Sequence, residues 1–98
     1  LLDAVAEHPS WAQGHLLLGL SYYKNGDNTS AIYYLKKAQL LDPSDGYSLC
    51  YLGVISYDRG SYKAAREYLN SAGKLAGKDK YLRSIIDTYQ ECVEREAA

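Results

Sequence analysis

The sequence contains no phenylalanine and no methionine, and one tryptophan, Trp11. It has two cysteines, Cys50 and Cys92, and two histidines, His8 and His15. None of these sits in a CxxC pair or a Cys/His cluster with zinc spacing, so no metal site is expected. Two unpaired buried thiols are expected instead, which leans toward a reducing, cytoplasmic compartment. No apolar run approaches the roughly 18 residues of a membrane span. Charge of neither sign dominates: 11 Lys and Arg face 12 Asp and Glu, a net charge of −1. With no basic run, the electrostatic footprint of a nucleic-acid binder is missing. The amino end, Leu1 to Trp11, lacks the basic start and long apolar centre of a secretion signal, and it lacks an initiator methionine. The reading is of a piece of a longer protein, with any targeting signal elsewhere.

What the chain does have is tyrosine, 11 residues of it, and a period. Pro9-Ser10 and Pro43-Ser44 lie 34 residues apart, and the same shift superposes Leu18 on Leu52, Gly19 on Gly53, Tyr23 on Tyr57 and Gly26 on Gly60. It also superposes Ala31 on Ala65, Tyr34 on Tyr68, Leu35 on Leu69 and Ala38 on Ala72. A gap-free period of this length marks a repeat array, in which each unit buries its apolar face against its neighbours.

Each unit reads as two helices. Leu16, Leu17, Leu20, Tyr23 and Lys24 follow helical spacing. Gly26 suits the positive φ of a helix end, and Asp27 or Asn28 can cap the next helix, expected over about Thr29–Leu41 until Pro43 stops it. In unit two, Asp45 and Ser61 are the candidate caps, Gly60 is the break, and the second helix runs to about Leu75. Gly77 stands in the place of the proline, so that end is expected to be looser. Residues 1–8 look like the last turns of a preceding second helix, since Leu1 falls on Leu35 and Ala4 on Ala38. Residues 80–96 form a final amphipathic helix with Tyr81, Ile85, Ile86, Tyr89 and Val93 on one face, as expected of a capping helix.

These residues resemble the tetratricopeptide repeat, a helix–turn–helix of about 34 residues. Unit one, 12–45, carries Leu18-Gly19, Tyr22, Gly26, Ala31, Leu35, Ala38 and Pro43 of the family pattern. Unit two, 46–79, carries Leu49, Leu52-Gly53, Gly60, Ala65, Leu69 and Ala72. His15 departs from the family's usual Trp, Ser56 from its Tyr and Gly77 from its Pro. The resemblance implies an all-α fold, an α–α superhelix of stacked antiparallel helix pairs. Gly19 and Gly53 would lie where the two helices of a unit cross closely.

The resemblance further implies a concave groove lined by first helices. The candidate lining is Leu16, Leu20, Tyr23, Lys24, Tyr47, Cys50, Tyr51, Val54, Tyr57, Asp58 and Tyr81, with Leu17 and Ile85 in the same register. Apolar and aromatic lining suits an extended or helical apolar segment of a protein partner. The basic clamp by which some family members hold chaperone carboxyl termini has no counterpart, because Leu16, Leu20, Tyr51, Tyr81 and Ile85 occupy its places. A second reading is self-association, with the groove covered by another copy in a structural scaffold.

Nothing in the pattern calls for catalysis or a cofactor. Asn25-Gly26-Asp27-Asn28 lacks the further carboxylates of a calcium loop, and Gly14, Gly19 and Gly26 lack the strand and Lys-Ser/Thr of a phosphate loop. His15 has no nucleophile at a pairing distance in its helix and reads as a packed structural residue. Cys50 reads as a small core hydrophobe.

Overall fold

The computed structural model describes residues 1–97, whose regular elements are all α-helices: α1 (Leu2–Glu7), α2 (Ala12–Lys24), α3 (Asn28–Leu41), α4 (Gly46–Asp58), α5 (Tyr62–Leu75) and α6 (Lys80–Ala97). Consecutive helices pack on one another, and α4 also touches α2 on one side and α6 on the other. The result is a slab of 45 × 29 × 19 Å built from adjacent helix pairs, the architecture of a tetratricopeptide-like helical repeat.

The turns inside the pairs follow from glycine. Gly26 and Gly60 adopt φ of 81° and 80°, a left-handed conformation that any Cβ would oppose. The next residue then returns a backbone bond into the helix just ended. Asp27 N–H donates to the Tyr22 carbonyl at 2.9 Å, and Ser61 N–H to the Ser56 carbonyl at 2.8 Å. The Asp27 carboxylate caps α3 by accepting from Ser30 N–H at 3.1 Å. Asp45 caps α4 through Tyr47 N–H at 2.9 Å and Ser48 Oγ at 2.8 Å. Ser61, expected to cap α5, makes no such bond with its side chain. After Gly77, Asp79 caps α6 through Leu82 N–H at 3.0 Å.

Within each pair the helices approach at glycine. A Cβ on Gly19 would stand 2.7 Å from Leu35 Cγ, and one on Gly53 would stand 2.9 Å from Leu69 Cγ. Ala31, Leu35, Ala38, Ala65, Leu69 and Ala72 are fully buried against these crossings. Two apolar clusters result. One gathers Leu16, Leu35, Leu52 and Ile55; the other gathers Cys50, Val54, Leu69, Leu82, Ile86 and Val93. Tyr23 and Tyr47 pack against both, so the core continues across the repeat boundary.

Candidate protein-binding groove

The first helices α2 and α4, with α6 beside them, carry the expected lining in three layers. Leu16 (5% exposed), Cys50 (0%) and Val54 (1%) are core, which corrects the expectation that they line an open groove. The reason is lateral packing: α4 is pressed between α2 and α6, which buries Cys50 and Val54 against α5 and α6, and Leu16 of α2 is buried among Leu35, Leu52 and Ile55. Burial also pushes the Cys50 thiol up to about 12.

Above this floor lie half-buried tyrosines. Tyr23 packs on Tyr51 with ring centroids 5.9 Å apart, Tyr47 stacks on Tyr81 at 6.5 Å, and Tyr57 meets both Tyr62 and Tyr89 at 5.7 Å. These separations fall in the range where aromatic pairs attract, about 0.5–1.5 kcal/mol each. The Tyr47 hydroxyl donates to Asp79 Oδ2 at 2.6 Å, which lifts Tyr47 to about 12 and holds Asp79 below its ordinary value. Burial raises Tyr23 to about 12, helped by the nearby Tyr89 and Asp58, and raises Tyr51 to about 12, helped by Tyr81. Leu20 is likewise half-buried. The surface layer is Lys24, Asp58 and Tyr81, of which Tyr81 is 65% exposed, with Leu17 at 40%.

Every ring in this band is therefore neutral at physiological pH where its state is shifted, and the band presents apolar edges with hydroxyl tips. Asp79, Tyr62 and Tyr89 fix its geometry. Sequence reasoning placed Tyr89 on the apolar face of the last helix but did not join it to Tyr57. Asp79 and Tyr62 gave no signal, because each meets its tyrosine only once the helices are stacked.

Away from this band the remaining tyrosines separate. Tyr22 stacks on Tyr34 at 5.5 Å and nearly parallel, at 6°, inside unit one. Tyr33 points outward. His15 is buried, stacks on Tyr34 at 6.0 Å, and lies with Nε2 2.9 Å from the Pro9 carbonyl oxygen, a structural placement. No helix among the described residues is long and apolar enough to cross a membrane.

None of the curated proteins matches the chain in sequence. A family model, described as the tetratricopeptide repeat, matches it twice, over residues 1–46 and 16–79. Repeats of this kind generally mediate protein–protein interaction or scaffolding and are generally non-catalytic. With 34-residue units, helix pairs crossing at Gly19 and Gly53, and matches that together run from residue 1 to 79, the chain belongs to the tetratricopeptide repeat family.

Proposed function

We propose that the face formed by α2, α4 and α6 binds an apolar extended or helical segment of a protein partner. The observation that carries this reading is the tyrosine band: Tyr23, Tyr47, Tyr51 and Tyr57 are half-buried, and Tyr81 beside them is largely open to solvent. Rings held by neighbours lose little freedom when a partner arrives, and their hydroxyls tolerate both water and a partner's polar groups. Lys24 and Asp58 at the exposed edge give the docked segment a polarity.

The inner rings also join the helices, so truncating them confounds binding with stability. Tyr81→Ser combined with Leu17→Ser removes exposed apolar surface and leaves the core clusters intact. This pair should lose at least about tenfold in affinity for a partner recovered with the intact chain, a loss of about 1.4 kcal/mol, while helical content is kept and the melting temperature falls only by what the Tyr47–Tyr81 stacking contributes. Undiminished binding would remove the groove from consideration.

Self-association is the second reading. Leu1 and Leu2 are about half exposed at the amino edge, and Trp11 is exposed beside them. Light scattering across concentration separates the two: a dimer lost on Leu2→Ser supports pairing through that edge, and a monomer throughout supports the open groove.

A further inference from the structure

Unit one and unit two differ at one packed place, and the difference leaves a cleft. In unit one Tyr34 stacks with Tyr22 at 5.5 Å and with His15 at 6.0 Å. The same positions in unit two hold Tyr68, Ser56 and Leu49. Tyr68 has no aromatic partner among the described residues. The Ser56 hydroxyl does not reach toward it, since it turns back to donate to the Leu52 carbonyl of its own helix at 2.8 Å. Where a second ring would lie there is a cleft of about 440 Å³ bordered by Ser56, Tyr68, Ile32, Lys36, Arg59 and Ser61. That volume is within the range of about 300–1,000 Å³ typical of ligand pockets.

The charge pattern departs in the same place. Lys36 and Arg59 border the cleft and no carboxylate does. Neither cation takes part in the ion pair found among the described residues, Arg66 with Glu94. Unit one carries Asn25 and Asp27 where unit two has Arg59 and Ser61, and the Asp27 carboxylate is engaged with α3 at Ser30 N–H. At the three compared places unit one thus carries Tyr22, Asn25 and Asp27, and unit two carries Ser56, Arg59 and Ser61, which removes a ring and a carboxylate and adds a cation.

We propose that this cleft is a second binding site, which takes an aromatic side chain of a protein partner onto the face of Tyr68, with a neighbouring carboxylate of the same segment meeting Lys36 and Arg59. An offset or tilted ring at about 4.5–7 Å from Tyr68 reproduces the Tyr22–Tyr34 contact. The Arg59 guanidinium is free to pair with a carboxylate or to lie over the incoming ring. The site lies between α3, the end of α4 and α5, and shares no residue with the tyrosine band. Occupation of one does not require the other to be empty.

The test is a titration of the isotope-labelled chain with the blocked peptide acetyl-Glu-Tyr-Glu-amide, followed by amide chemical shifts. Saturable shifts at Ser56, Arg59, Ser61 and Tyr68 are expected. Acetyl-Glu-Ala-Glu-amide and acetyl-Gln-Tyr-Gln-amide should each bind at least about tenfold more weakly, a loss of about 1.4 kcal/mol. Ser56→Tyr, which restores the ring that unit one carries, should abolish the shifts while helical content is kept. Should that variant lose its fold, K36E/R59E carries the same test from the surface, with binding lost and melting temperature retained. Shifts confined to Tyr47, Tyr51 and Tyr81, unchanged binding by K36E/R59E, or no saturation at millimolar peptide would each overturn the proposal.

Discussion

Tyr47 and Asp79 are joined by a 2.6 Å hydrogen bond across 32 residues of sequence. The same Asp79 carboxylate caps α6 through Leu82 N–H. One side chain therefore starts the last helix and ties it to the first turn of α4. Asp79→Ala removes both bonds, whereas Tyr47→Phe removes one. Amide hydrogen exchange in the first two turns of α6 should accelerate in the order Asp79→Ala, then Tyr47→Phe, then the parent chain. Equal exchange in all three would mean that packing of Leu82 and Ile86 alone holds α6. The pH dependence has a definite sign. The folded-state pKa of Asp79 lies below its ordinary value of 3.8, so its contribution is complete above that value and is lost as pH falls through the lowered one. Protection of α6 should fade in acid in the parent and change less in Asp79→Ala.

The glycine crossings set two opposing effects against each other. Ala has a better helix propensity than Gly by about 1 kcal/mol. Yet a Cβ at Gly53 would sit 2.9 Å from Leu69 Cγ and 3.3 Å from Tyr68 Cβ, and Leu69 is wholly buried with no room to retreat. Overpacking typically costs about 1–3 kcal/mol, so the clash wins. Gly53→Ala is expected to lower stability by up to about 2 kcal/mol in urea unfolding, and Gly53→Leu by more. A stabilised Gly53→Ala would show that the crossing can open.

Much of this was legible from the 34-residue period, and the exceptions share a cause. Gly19, Gly53, Ala31 and Ala65 were readable because small residues recurring at fixed places in both units mark a close approach. Asp27 and Asp45 were readable as caps because a cap acts within a few residues. Leu16, Cys50 and Val54 were assigned to an open groove because register gives the direction of a side chain and not what stands beside it; the flanking helix decides burial. Ser61 looked like a cap by residue type, but its side chain makes no bond to α5, whereas Asp27 in the equivalent place caps α3. The Tyr57–Tyr89 and Tyr47–Asp79 pairs join distant segments, and no local pattern announces them.

The two thiols should differ in reactivity. Cys50 is fully buried between α4 and its neighbours, with its pKa pushed up to about 12, so almost none of it is thiolate at neutral pH. Cys92 is half-exposed, with an Arg95 guanidinium nitrogen 3.4 Å from its sulfur. A disulfide reagent at pH 8 should modify one thiol per native chain and both in urea. Cys92→Ser should abolish the native reaction and Cys50→Ser should leave it unchanged. Rapid native modification of Cys50 would show that the α4–α6 contact opens readily.

The tyrosine band predicts an alkaline limit to stability. Tyr23, Tyr47 and Tyr51 have folded-state pKa values raised from 10.0 to about 12. A raised pKa means that the folded chain holds the proton more tightly than the unfolded chain does. The stabilisation is complete below about 10 and is lost as pH rises through about 12, because unfolding then releases phenolate to water. The causes differ and so do the remedies. Tyr47 is raised first by its bond to Asp79, so Tyr47→Phe forfeits that bond at every pH. Tyr23 and Tyr51 are raised first by burial, so phenylalanine keeps their packing and removes the ionisation. The urea midpoint of the parent should therefore fall between pH 10 and 12, and that of Tyr23→Phe/Tyr51→Phe should fall less steeply. Parallel curves for the two chains would mean that these rings reach water without unfolding, and that the band between α2 and α4 is looser than its packing implies.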